Sequence, residues 1–159
     1  MEPRKALPTE SRPAWDERPA VRLRAVAFIE IAGESPQALR SRVAQAVEQA
    51  GGELVQVMHR LVLAAFDSAS ACARSCRTLG AELRAGVSCG DGLYEGGLVH
   101  GLPVIEASRL RDAAAPGQVL CAGRLVRLAG LPAEDFRALG ALELAGLAAP
   151  LPAFELRRR

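Results

Sequence analysis

Glu30 is the first residue whose type and place could do chemistry. It stands inside the apolar run Phe28-Ile29-Glu30-Ile31. A carboxylate there is costly unless it has a partner or sits at a strand end facing a cleft, so it is a candidate acid or metal ligand. Asp91, in Gly90-Asp91-Gly92, is a second acid that could hold a metal from a hairpin tip. Asp and Gly favour turns for backbone reasons alone, and a turn is the expectation. Cys72 and Cys76 lie one helical turn apart, with Cys89 and Cys121 far away in sequence. Neither these thiols nor His59 and His100 have zinc-knuckle spacing. Cys72 and Cys76 instead fall in an apolar stripe with Ala69 and Leu79, which predicts core packing. Arg109 is followed by Arg111 and Asp112 and reads as part of a solvated helical face. The chain has no Ser-His-Asp order, GxSxG elbow, HExxH or Walker-type glycine loop.

These residues must be positioned by elements the hydrophobic pattern marks out. Val21, Leu23 and Ala25 alternate with Arg22 and Arg24 before the apolar run 26–31, which predicts a strand entering a buried sheet. Ser35-Pro36 is a helix start, with proline where its missing N–H costs nothing. Leu39, Val43, Ala46, Val47 and Ala50 keep helical spacing up to Gly51-Gly52. Runs 54–58 and 61–66, separated by His59-Arg60, suit an antiparallel hairpin. Asp67 or Ser68 caps a helix over 69–79, and a strand over 83–89 follows. The order β-α-β-β-α-β is the split βαβ arrangement, an α+β ferredoxin-like core. A C-terminal α/β elaboration comes next: a strand over 93–98, a helix over 103–115, a strand over 118–121 and a helix over 122–128. Further strands lie within 136–147 and 154–156.

Composition bounds the rest. The chain has 159 residues, 50% hydrophobic and 24% charged, which is one domain's worth of material able to bury a core. Residues 1–20 carry Pro3, Pro8, Pro13 and Pro19 without hydrophobic period and read as a tail or linker whose one anchor is Trp15. Residues 21–156 form the domain, and 157–159 a solvated basic tail. No apolar run of membrane-spanning length and no secretory leader pattern occurs, so a cytoplasmic, non-membrane protein is expected. A net charge of +2 and 4% aromatic residues argue against nucleic acid as a partner.

Several strings then line up. Gly101-Leu102-Pro103-Val104 … Ala107-Ser108-Arg109-Leu110 … Ala115-Pro116-Gly117-Gln118-Val119-Leu120 resembles a stretch of the class III adenylate/guanylate cyclase catalytic domain. Val26-Ala27-Phe28-Ile29-Glu30-Ile31 is similar to that family's opening strand. Gly51-Gly52-Glu53-Leu54-Val55-Gln56 with Ala65-Phe66-Asp67-Ser68 is similar to its hairpin, and Arg84-Ala85-Gly86-Val87-Ser88-Cys89-Gly90 to its next strand. Leu139-Gly140 … Leu144-Ala145-Gly146 … Phe154-Glu155-Leu156 resembles its ending. The match covers nearly everything from Val21 to Leu156.

The resemblance implies a dimer with active sites at its interface, two aspartates holding two metal ions, and partner residues that read the base and stabilise the transition state. Carried over residue by residue, the first metal aspartate becomes Glu30 and the second, in the hairpin tip His59-Arg60-Leu61, becomes Arg60. The base-reading lysine becomes Gln56 and the base-reading aspartate Leu98. The transition-state asparagine becomes Ile105, the late lysine Ala145, and only Arg109 matches unchanged. A cation in place of the second acid repels each metal charge by about 4 kcal/mol per unit pair at 4 Å and an effective dielectric of 20. The expectation is a catalytically degenerate domain with no catalytic residue and no cofactor, serving as a dimerisation or regulatory module. Mg²⁺ or Mn²⁺ would enter only an active form, for which Glu30 is the one candidate ligand. The same changes argue against nucleotide binding. The partner is a second copy or another cyclase-like domain. Two alternatives are an active cyclase, homodimeric or contributing Arg109 to a heterodimer, and a binding module using the apolarised cleft around Leu98 and Ile105.

Overall fold

The structure is a computed structural model and describes residues 20–95 and 98–158. Trp15 and the rest of the expected tail up to residue 19 lie outside the described residues. The first strand, β1 (Ala20–Ile31), leads into α1 (Pro36–Gln49), the hairpin β2 (Glu53–Val57) and β3 (Leu61–Phe66), α2 (Ala69–Arg77) and β4 (Leu83–Glu95). There follow β5 (Leu98–His100), α3 (Leu102–Ala113), β6 (Val119–Ala122), α4 (Gly123–Ala129), β7 (Phe136–Leu142) and β8 (Leu151–Leu156). The sheet order is β2-β3-β1-β4-β6-β8-β7, with β5 paired to β4. Its first four strands are antiparallel in ferredoxin-like order, and β4–β6 is the parallel crossover that joins the elaboration.

Strand periodicity decides which face each helix covers. Ala25, Ala27, Ile29 and Ile31 of β1 point into the main core with Leu39, Val43 and Val47 of α1, Cys72 and Cys76 of α2, and Leu125 of α4. The alternate residues Val26 and Phe28 face the other way, onto Ala107 and Val104 of α3. Ser68 caps α2, its hydroxyl accepting from the Ala71 N–H at 3.1 Å. At Gly86 a Cβ would sit 1.9 Å from the Ala107 carbonyl oxygen, so only glycine lets α3 lie directly on β4.

Three expectations are corrected. Gly90-Asp91-Gly92 is not a turn: it continues β4, paired in register with Arg24, Leu23 and Arg22 of β1. Two long paired strands supply ladder partners that outweigh the local turn preference of Asp and Gly. The expected strand over 93–98 is divided, its start ending β4 and Leu98 opening β5. Within the basic end, Arg158 is not solvated: its guanidinium donates to the carbonyls of Gly117 (2.8 Å), Gly80 (2.8 Å) and Leu79. It satisfies orphan carbonyls just beyond the C-terminus of α2.

Candidate functional site

The corner where β1, the β2–β3 tip and the C-terminal end of α3 meet holds the first candidate acid. Glu30 is next to last in β1 and stands opposite Leu61 of β3 and Arg84 of β4. Its carboxylate accepts from Arg84 Nε, and both side chains are about a quarter exposed (27% and 26%). Arg84 also donates to the carbonyls of Ala114 (3.1 Å) and Asp112 (3.4 Å), so one guanidinium ties β1 to the end of α3. Arg60 sits at the tip itself. Its Nη1 donates to the Gly33 carbonyl at 2.9 Å and the Ile31 carbonyl at 3.2 Å, while its own carbonyl accepts from the Ile31 N–H at 2.8 Å. Arg60 therefore clasps the connection between β1 and α1 directly beside Glu30.

This donor set does not fit a pair of divalent cations. Such ions take hard oxygen ligands, carboxylates and carbonyls above all. Here the Glu30 carboxylate is engaged by Arg84, and the neighbouring carbonyls of Ile31 and Gly33 accept from Arg60. Among the described residues, no group of three or more His, Cys, Asp or Glu side chains converges as a metal site.

Arg109 lies one step along the same corner. It pairs with Asp112 at 3.5 Å, and Asp112 is also bonded by Arg111 at 2.7 Å. Burial alone would raise the Asp112 carboxyl, but the Arg111 hydrogen bond and the charges of Arg111, Arg109 and Arg84 hold it below its ordinary value. Arg111 in turn stacks over Phe28, 4.6 Å from the ring centroid. The Arg109 Nε is buried without a hydrogen-bond partner, against the loop that carries Ala145 and Gly146. The corner thus holds Arg84, Arg109 and Arg111 against Glu30 and Asp112, with Arg60 beside them.

The remaining sequence candidates line a separate, apolar surface. Leu98 of β5 and Ile105 of α3 are 46% and 45% exposed, with Leu102 beside them in sequence at 52%. Gln56 is exposed on β2, its amide near Met58 Sδ at 3.8 Å, and β2 approaches β5. Leu61, at the hairpin tip, is half-buried and does not join this patch. Arg84 and Asp112 were not singled out as site residues in the sequence. The signal for Arg84 is its register, since a strand antiparallel to β1 must place some residue opposite Glu30.

A second polar cluster lies beyond the N-terminal half of α3. Glu106 is buried and accepts from Ser88 Oγ at 3.0 Å and from Arg124 of α4, whose Nε donates to the Cys89 carbonyl at 3.2 Å. The four cysteines are all buried. Burial, followed by the hydrogen bond and negative field of Cys76, pushes the Cys72 thiol well up, and burial does the same to Cys121. Such thiols are neutral packing groups, which for Cys72 is what the apolar stripe predicts.

No family model matches the chain. It is 38% identical over 125 residues to uncharacterised proteins of Mycobacterium tuberculosis and Mycobacterium bovis. That match takes in 72% of this chain and 32% of theirs, so the chain spans about a third of the length of these curated relatives. Among solved structures, an adenylate/guanylate cyclase/hydrolase from Silicibacter pomeroyi superposes with a TM-score of 0.73 at 24% identity, over 86% of this chain and 97% of that one. The adenylyl cyclase CyaB of P. aeruginosa gives 0.75 at 15% identity, over 90% and 97%. The strand order, the helices on both faces and these superpositions agree: the chain has the fold of the class III adenylate/guanylate cyclase catalytic domain.

Proposed function

We propose that this chain is a degenerate member of the class III cyclase family, a cyclase-homology domain that does not turn over nucleoside triphosphates and serves as a dimerisation or regulatory module in signalling. One observation carries the reading: Arg60 and Arg84 occupy, by hydrogen bonds, the carbonyls and the carboxylate from which a metal site would be built. The second acid position is a cation, and Glu30 is already neutralised, so divalent ions meet repulsion rather than ligands. Base selection is lost in the same sense, with Gln56 uncharged and Leu98 and Ile105 apolar. The framework that carries those positions keeps the cyclase fold, with a first-helix region, 32–50, shorter than the resemblance implies.

Association is the use left to this face. Leu98, Leu102 and Ile105 present apolar side chains to solvent on the α3 side, where the resemblance puts the dimer interface. The partner is a second copy or another domain of this fold. The test is an assay of the purified chain with ATP and with GTP, each with Mg²⁺ and with Mn²⁺, beside a Glu30→Ala control. The expected result is no cyclic nucleotide above the control. Product above it refutes the reading.

A second reading rests on Arg109. Its side chain is partly exposed and its tie to Asp112 is long, which leaves the outer guanidinium nitrogens available to a neighbouring chain. In a heterodimer it would serve a site whose metal acids come from the partner. Activity that appears only on co-expression with another cyclase domain, and disappears in Arg109→Ala, distinguishes this case.

A further inference from the structure

The first part of β1 has a strand on one side only. Its pairing with β4 runs unbroken from Ala20 to Ile31, while its pairing with β3 stops at Ala25, opposite Phe66. From Ala20 to Arg24 the β3-side edge is thus unpaired among the described residues. The Ile31 N–H donates to Arg60 on the β3 side and the Ala32 N–H to Glu82 on the β4 side, so odd-numbered residues of β1 turn their backbone groups toward β3. The constant register carries this parity back to Leu23 and Val21, whose N–H and C=O groups line the open edge. Such an edge is a template for another strand, which proteins usually blunt with a proline, a bulge or charge. Here Val21 and Leu23 are the most exposed large apolar side chains among the described residues, at 68% and 62%. Of the two nearby arginines, Arg24 is buried and drawn onto Glu53 and Asp67, which leaves Arg22 as the one exposed charge.

This edge is complementary to itself. Antiparallel pairing about Arg22 sets Val21 across from the partner's Leu23, and Leu23 across from the partner's Val21. Both are hydrogen-bonded pairs, and together they use every open backbone group of the two residues. The partner's Val21 then lies beside Leu23, over a groove of about 300 Å³ that Leu23, Ala69 and Leu128 help to line. The two Arg22 side chains meet on the other face, a like-charge pair that opposes association. Asp67 offsets it: this carboxylate follows directly on the last paired residue of β3, is 87% exposed, and stands one step along the edge from the partner's Arg22. A two-fold contact of this kind closes on itself and stops at two chains.

We propose that the chain self-associates through the open edge of β1, with Ala20–Arg24 pairing antiparallel to the same segment of a second copy about a two-fold axis at Arg22. The contact is separate from the α3 face and does not depend on loss of turnover, so its failure leaves the reading above standing. A pairing of this length buries less than the ~800 Å² per partner of a standard interface, so it is weak and is best read by a covalent trap.

Arg22→Cys supplies that trap. In the proposed register it faces its own copy across a non-hydrogen-bonded pair, at a Cα separation of about 4.5 Å that a disulfide spans. The four native cysteines are all buried and stay silent. On mild oxidation of the full 159-residue chain, Arg22→Cys should form a covalent dimer about tenfold or more faster than Ser41→Cys, an exposed position on α1. Adding Leu23→Asp to Arg22→Cys should bring the rate down to that of Ser41→Cys, with far-UV circular dichroism confirming that each exposed-site variant is folded. Cross-linking of Arg22→Cys no faster than that of Ser41→Cys overturns the proposal. So does fast cross-linking that Leu23→Asp leaves unchanged.

Discussion

Two arginine corners brace α3 against the sheet, and they are built differently. At the C-terminal end of the helix, Arg84 clasps Glu30 and the carbonyls of Asp112 and Ala114, with both charged side chains still about a quarter exposed to water. Toward its N-terminal end, Arg124 clasps Glu106, whose carboxylate is almost wholly buried and bonded to Ser88. An ion pair that keeps contact with water on both sides contributes about 1 kcal/mol. A buried carboxylate stripped of its cation costs about 3–5 kcal/mol. The Glu30 corner therefore adds little to stability, and what its arginines change is chemistry. The Glu106 corner holds the framework.

Breaking both corners at once should have the largest effect. Gly86→Ala drives a Cβ into the backbone of Ala107 and Arg111, and lifting α3 should cost about 3 kcal/mol or more in urea unfolding. Next comes Arg124→Ala, expected to cost about 3 kcal/mol because Glu106 stays buried with Ser88 alone. Adding Glu106→Gln to that variant should recover most of the loss, since the uncompensated charge is gone. Arg84→Ala should cost only about 1 kcal/mol, and a loss as large as that of Arg124→Ala would erase the distinction between the corners. The smallest effect is one of pH. The Asp112 carboxyl is held below its ordinary value, so its contribution is present above about pH 3.9, the unfolded value, and is lost as pH falls through the lower folded value. Urea melts of wild type and Asp112→Asn should differ slightly at neutral pH and converge in acid.

Much of the fold was legible in the sequence because its signals are local and periodic. The α1 stripe of Leu39, Val43 and Val47 is buried as its spacing predicts. The hairpin and the βαββαβ order follow from short apolar runs separated by turn residues. Gly90-Asp91-Gly92 misled, because a turn-forming composition says nothing about the long partner strand that pairs with it. Arg158 misled in the same way: three carbonyls from two distant loops converge on it, and no sequence window contains them. At the site, Glu30 announced itself as a charge in an apolar strand that needed a partner. That partner, Arg84, is set by register across strands 54 residues apart. The buried Glu106 was invisible for the converse reason. On α3 it reads as one more charged residue of a helical face, and only packing against β4 and α4 removes it from water.

The central claim is that guanidinium groups stand where a two-metal site would need oxygen ligands. Calorimetric titration of Mn²⁺ into the chain, with and without a nonhydrolysable nucleoside triphosphate, tests it most directly. The account predicts no saturable uptake in either condition, for the wild type and for Glu30→Ala alike. Uptake of two Mn²⁺ ions per site that Glu30→Ala abolishes would contradict it.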